Sequence, residues 1–225
     1  MTAQEYCEIV ERMDRFQKQL ISTIIIKEDN SPLISLKTSG FNLMFEPSIK
    51  KDYKYLVREA VFEKIGRISK LLDKQNKVLI IRSVWRSFEH QKLLRKNRAK
   101  IIKKKHPNKS LKDINKIVSY FIASEEESMH STGGAVDALI YDLKKDGVMD
   151  FGNNDGLKLE LNKTCYPLHP DITSQAKKNR KLLMGLFEKE DMICDPKEYW
   201  HFDYGNVIWA IQKGEKYAKY GIIKK

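Results

Sequence analysis

Ser128-Met129-His130-Ser131-Thr132-Gly133-Gly134-Ala135-Val136-Asp137 sets a histidine and an aspartate seven positions apart, with small residues and two glycines crowded between them. From Ala135 to Tyr141 the chain is apolar except for Asp137, a pattern that predicts a strand carrying one carboxylate among hydrophobic neighbours. A carboxylate in such surroundings requires a partner. The glycines suit a chain that must turn tightly from a loop into that strand, because glycine tolerates the positive φ that other residues resist.

Working outward, residues 3–20 have the apolar spacing of an amphipathic helix, and residues 21–50 read as irregular or extended around Pro32, Gly40 and Pro47. Tyr55, Leu56, Ala60, Val61, Ile65, Ile68 and Leu71 recur every three to four residues and predict a helix over 52–73. The period then changes. Residues 77–84, KVLIIRSV, predict a buried strand, with Arg86 where it ends and Ser87 capping a helix that runs to about Lys105. His106-Pro107-Asn108 breaks this helix, and Ser110 caps another over roughly 111–124. Residues 145–172 read as a long loop, 174–190 as a helix and 199–204, YWHFDY, as an aromatic strand, while 206–225 follow no clear period.

The 225 residues, 41% of them hydrophobic, suit one domain with a continuous core, and there is no repeat or Gly/Ser/Pro-rich linker. The first fourteen residues contain four acids and no apolar segment of the signal-peptide kind, and no run is long enough to span a membrane, so a soluble, cytoplasmic protein is expected. Cys7, Cys165 and Cys194 are odd in number and widely spaced, as expected of free thiols in a reducing compartment. The net charge of +12 concentrates in residues 92–116. That run raises the possibility of a polyanionic partner, but it lacks interleaved aromatics, and Leu93, Leu94, Ile101 and Ile102 recur at helical spacing. It is read as a solvated helix face, with nucleic acid not expected as a partner.

Five histidines allow a judgement one by one. His90, His106 and His169 are expected to serve packing or the surface, whereas His130 and His201 each sit beside a predicted strand and near a carboxylate, Asp137 and Glu198 respectively. Two imidazoles and one carboxylate suit a catalytic zinc, filling three tetrahedral positions and leaving a fourth for water. Glu198, three residues before His201, then suits a group that takes a proton from that water and returns it to a leaving amine. The same spacing also fits a simpler arrangement, with Asp137 paired to a lysine and His201 an ordinary strand histidine. Ser128 and Ser131 can support a ligand from behind or hold the loop backbone.

These residues resemble a known family. Ser128-x-His130-x-x-Gly133-x-Ala135-x-Asp137 is similar to the SxHxxGxAxD motif of the zinc D-Ala-D-Ala peptidases, and Glu198-x-Trp200-His201 to their ExWH motif. Arg86 with Gln91 resembles the family's YRSxxxxQ segment, Trp85 standing where tyrosine is usual. Residues 55–65 and the helix before Glu198 look most like the D-alanyl-D-alanine dipeptidase branch, which includes the vancomycin-resistance dipeptidases, over about residues 52–222. The resemblance implies an α+β fold with a small antiparallel sheet carrying one zinc ion and flanked by helices; residues 1–50, outside it, are expected to pack on that core as an N-terminal helix and irregular extension. It implies zinc binding by His130, Asp137 and His201, general base and acid work by Glu198, and oxyanion stabilisation by Arg86. Gln91 and Trp200 are matched motif positions near the substrate, and Asp155, displaced by one from a family aspartate, is a candidate for a substrate ammonium. The expected activity is hydrolysis of D-Ala-D-Ala or a related dipeptide. Carboxypeptidase or endopeptidase action on longer peptidoglycan peptides is the alternative, and a non-enzymatic polyanion-binding role is a more distant one.

Overall fold

The computed structural model describes residues 1–152 and 163–224, with Tyr120 and Phe121 described as backbone only. Thr2 opens α1 (Ala3–Leu20) through a reciprocal cap with Glu5. Three short strands follow, β1 (Ile25–Ile26), β2 (Leu33–Ser35) and β3 (Leu43–Phe45), and then β4 (Leu56–Arg58), α2 (Glu59–Asp73) and β5 (Lys77–Ser83). Ser87 caps α3 (Phe88–Lys105) and Ser110 caps α4 (Leu111–Phe121), each hydroxyl accepting a backbone N–H three residues on. The chain returns through β6 (Ala135–Asp142) and β7 (Gly147–Val148) to α5 (Ser174–Glu188), β8 (Ile193–Cys194), β9 (His201–Asp203), α6 (Val207–Lys213) and β10 (Tyr217–Ala218). No helix among the described residues is long and apolar enough to cross a membrane.

The fold is α+β. Its main sheet runs β3-β5-β6-β9-β8, with β7 on β6, and every pairing is antiparallel except β3 against β5. Within residues 21–50, expected to be irregular or extended, Leu43–Phe45 supplies this parallel edge strand, three residues being too few to show a period in sequence. The helix expected over 52–73 begins only at Glu59. Tyr55 has φ +50 and cannot continue a right-handed helix, and Leu56–Arg58 pairs with Leu33–Ser35 instead. The helix after Ser110 ends at Phe121 rather than 124, and the unassigned C-terminal segment folds as a helix capped by Asn206 and closed by Gly214 at φ +70.

Helix α2 packs on β5, and the main core joins Ile65, Ile68 and Leu72 to Leu79, Ile81, Ala138 and Ile140. Behind β9, Phe202 stacks on Phe187 of α5 at 3.8 Å between ring centroids. Arg180 of the same helix is fully buried and donates to the carbonyls of Phe151, Thr164 and Tyr166, with its guanidinium 3.8 Å from the ring centroid of Tyr199. One cation thus ties Phe151 and residues 164–166 to the turn that leads into β9.

The glycines of the opening stretch have different tasks. Gly133 takes φ +77 to end the short turn Met129–Thr132, while a Cβ on Gly134 would lie 2.3 Å from the carbonyl oxygen of Tyr204. This obstacle is backbone held in register, since Tyr204 N donates to Gly134 O at 2.9 Å. Gly134→Ala is therefore expected to destabilise the protein by about 1–3 kcal/mol, read by urea unfolding. An unchanged midpoint would show that the strand separates without cost.

Candidate metal centre

Register builds the site. In the antiparallel pairing of β6 with β9, Asp137 stands directly opposite His201, and on the other side of β6 it stands opposite Ser83 of β5. Side chains directly opposite in such pairs share a face, so the carboxylate and the imidazole meet although 64 positions separate them. His130 enters from the turn just before β6, a turn that Gly133 closes. Atoms of His130, Asp137 and His201 that can ligate a cation all lie within 4.8 Å of one another, and all three residues are buried.

Each oxygen of Asp137 faces one imidazole: Oδ1 lies 2.9 Å from His201 Nδ1, and Oδ2 lies 3.2 Å from His130 Nε2. The far nitrogens are also held. His130 Nδ1 lies 2.9 Å from the carbonyl oxygen of Val84, which can only accept, so this nitrogen carries the proton. His201 Nε2 lies 3.2 Å from Asp203 Oδ2, and Asp203 Oδ1 accepts from Asn206 Nδ2 at 2.6 Å. An imidazole whose outer nitrogen meets a carbonyl or a carboxylate is oriented as metal-binding histidines are.

The electrostatics follow from the same contacts. Burial, with the nearby Arg86 guanidinium, pushes the His130 ring down to about 4, so it is neutral at pH 7. Its unprotonated Nε2 then faces a carboxylate oxygen, two acceptors across a short gap that a cation would satisfy. Burial opposes ionisation of Asp137, yet the hydrogen-bonded, charged His201 ring outweighs it and holds the carboxyl well below the usual range. For His201, burial disfavours charge, but the carboxylates of Asp203 and Asp137 outweigh it and hold the ring well above its ordinary value. A donor set of two imidazoles and one carboxylate, with both rings anchored from behind, fits a zinc-type cation.

Arg86 stands at the edge of this cluster. Its Nη2 donates to Asp137 Oδ2 at 2.9 Å, Nε to Ser83 Oγ at 2.7 Å and Nη1 to Gln91 Oε1 at 3.3 Å, and Gln91 in turn donates to the carbonyl of Ala123 at 2.8 Å. Glu198 is half-buried in the turn before β9. Its amide donates to Asp195 Oδ1 at 3.1 Å, and its carbonyl accepts from the amide of His201 at 3.0 Å. Trp200 is buried, with the Arg82 guanidinium 5.5 Å from its ring centroid. Ser128 is buried before the turn, and the Ser131 hydroxyl donates to the carbonyl of Glu125 at 3.3 Å, holding the loop rather than a ligand. Asp155 lies outside the described residues. The remaining histidines are placed elsewhere: His90 is buried against Tyr53, His169 against Tyr6, and His106 is exposed.

Sequence reasoning passed over Asp203, although the signal was present: in the strand His201-Phe202-Asp203, positions i and i+2 share a face. The Val84 carbonyl carried no side-chain signal at all. Asp203→Asn is expected to weaken zinc binding by about 10–100-fold at alkaline pH. In the wild type, a cation at Nδ1 must displace the proton that the raised His201 value retains, so affinity rises with pH and binding releases a proton. Asparagine removes the carboxylate that most favours the charged ring, so the pH dependence should move to lower pH. Competition titrations with a chromophoric chelator across pH read both effects, and identical curves for the two proteins would rule out this role for Asp203.

No protein-family model matches the sequence, and no curated protein matches it. Among solved structures, the chain is similar to the LdcB LD-carboxypeptidase, described for the molecular basis of peptidoglycan recognition, at 17% identity and TM-score 0.48, over 83% of this chain and 75% of that one. It is also similar to a mutant of the vancomycin-resistance D,D-pentapeptidase VanY from a VanB-type cassette in complex with Zn(II), at 15% identity and TM-score 0.47, over 87% and 96%. A third similar structure is VanYB in complex with D-Alanine-D-Alanine, at 14% identity and TM-score 0.45, over 85% and 92%.

Proposed function

We propose that this chain is a zinc-dependent peptidase acting on short peptides that end in D-amino acids, with D-Ala-D-Ala or a related dipeptide as its substrate. The observation that carries the reading is the buried trio His130, Asp137 and His201, its ligating atoms gathered within 4.8 Å and both rings backed by oxygen acceptors. The substrate class comes from the resemblance of the two motifs around that trio.

His130 Nε2, Asp137 and His201 Nδ1 would hold the ion. When bound, zinc supplies a Lewis acid that polarises the scissile carbonyl and lowers the pKa of water to about 7. Glu198 takes the proton of the attacking water and delivers it to the leaving amine. Arg86 is held at Nε by Ser83 and at Nη1 by Gln91, so its guanidinium is fixed before reaction. Arg86 Nη2, which donates to Asp137 Oδ2 at 2.9 Å, is the donor that would turn to the developing oxyanion if Asp137 held a cation. Such a preorganised donor is worth roughly 3–4 kcal/mol in the barrier.

The test is release of D-alanine by purified, zinc-loaded protein from D-Ala-D-Ala and from a pentapeptide stem with the same end. Hydrolysis of the dipeptide, abolished by chelator and restored by zinc, is the expected result. Release from the pentapeptide alone would replace the dipeptidase reading with a carboxypeptidase one, and release from neither would sink both.

A further inference from the structure

Helices α3 and α4 pack on each other around a small core of their own, Ile102, Ile114 and Val118 with Ala99 and Ile117, separate from the main core. The hairpin is fastened at its base, where Gln91 bonds the carbonyl of Ala123 and Arg95 bonds Ser119 and the carbonyl of Ile122. Arg86 lies just before it and His130 just after it, so it projects from the rim of the candidate centre.

Residues 88–121 hold eleven lysines and arginines against two carboxylates, Glu89 and Asp113, which is nine of the chain's twelve net positive charges. Their placement is ordered. Lys92, Lys96, Lys100 and Lys104 are exposed and recur every fourth residue along α3, a stripe about 18 Å long with one ammonium roughly every 6 Å. Lys92 reaches Glu125 at 3.6 Å, but among the described residues no carboxylate answers Lys96, Lys100 or Lys104. Like charges four apart on a helix repel, so the stripe works against the helix that displays it. The last-turn cations Lys103, Lys104 and Lys105 complement the helix dipole, which does not account for Lys92, Lys96 and Lys100 farther back.

The geometry points to this stripe as a docking surface for a linear, base-free polyanion of the polyol-phosphate type, which holds the enzyme on the material that carries its peptide substrate. The choice of polymer and the tethering role rest on the peptidase reading; the polyanion-binding stripe does not. Lysines here are flexible point charges suited to a phosphate chain, and the two arginines, which could stack on bases or fork onto them, are engaged: Arg95 on Ser119 and Ile122, and Arg98 in a contact of its own. No tryptophan or tyrosine stands on the exposed face of α3 to stack a base.

The experiment is a fluorescence anisotropy titration of labelled poly(glycerol phosphate) at stepped salt concentrations. The wild type should bind with log affinity falling linearly in log salt, and the combined Lys96→Gln, Lys100→Gln and Lys104→Gln variant should bind about tenfold more weakly or worse at low salt. A control with the same change in net charge, Lys51→Gln, Lys70→Gln and Lys74→Gln, should lose less than about twofold. Glutamine keeps helix propensity, and circular dichroism checks that the hairpin remains; should the triple variant unfold, Lys100→Gln alone must show a smaller loss in the same direction. Equal losses in both triple variants, no binding by the wild type, or tighter binding to duplex DNA at the same phosphate concentration would each overturn the proposal. Hydrolysis of a small soluble peptide should be unchanged in the stripe variant. Failure of the peptidase reading shows as absent hydrolysis and leaves the polymer titration readable by itself.

Discussion

Glu198→Gln is expected to lower kcat for peptide hydrolysis by about 10²–10⁴-fold while the protein still takes up zinc, the range typical of losing a general acid and base. Glutamine keeps the size of the side chain and leaves in place two hydrogen bonds of the turn that use the residue 198 backbone: its amide to Asp195, its carbonyl to the amide of His201. What disappears is the carboxylate and with it the capacity to carry a proton. The separation matters, because His201 follows in the same turn and a disturbed turn would remove a ligand as well. Steady-state kinetics with zinc content measured on the same sample decides it. Full zinc with unchanged kcat would show that another group moves the proton, and lost zinc would show that the turn is ligand support.

Asp137→Asn should have the largest effect on the protein as a whole. Its two oxygens meet His201 at 2.9 Å, His130 at 3.2 Å and Arg86 at 2.9 Å, so one carboxylate organises every cationic or ligating group in the cluster. Without it, the Arg86 guanidinium is left largely buried with no countercharge among the described residues, and breaking a buried ion pair from one side costs about 3–5 kcal/mol. Urea unfolding with chelator present is expected to show a loss of that size, independent of metal. Zinc affinity should fall further than the 10–100-fold or so that follows loss of an outer partner. A variant as stable as the wild type would mean that Arg86 finds a second partner when Asp137 is neutralised.

Much of this arrangement could be read from the chain. The change from helical to strand period at Lys77, the caps at Ser87 and Ser110, and the single carboxylate in Ala135–Tyr141 are local signals, set by residues within a turn or two of each other. The short strands were not legible: Leu33–Ser35, Leu43–Phe45 and Leu56–Arg58 have three residues each, and their partners lie far away in sequence. Tyr55 shows the same limit from the other side, since its neighbours follow a helical period while its own left-handed backbone forbids the helix.

The sequence by itself determined which side chains are available to hold a cation, that Asp137 lies in a strand, and that a glycine turn precedes it. Composition, period and motif act over a few residues, and those are the distances over which they speak. Tertiary structure alone decided that Asp137 faces His201 across a strand pair, that Val84 and Asp203 hold the outer nitrogens, and that Arg86 rests on the same carboxylate. Strand register and backbone carbonyls have no letter in the sequence. They are settled when the sheet closes and each buried polar group must find a partner.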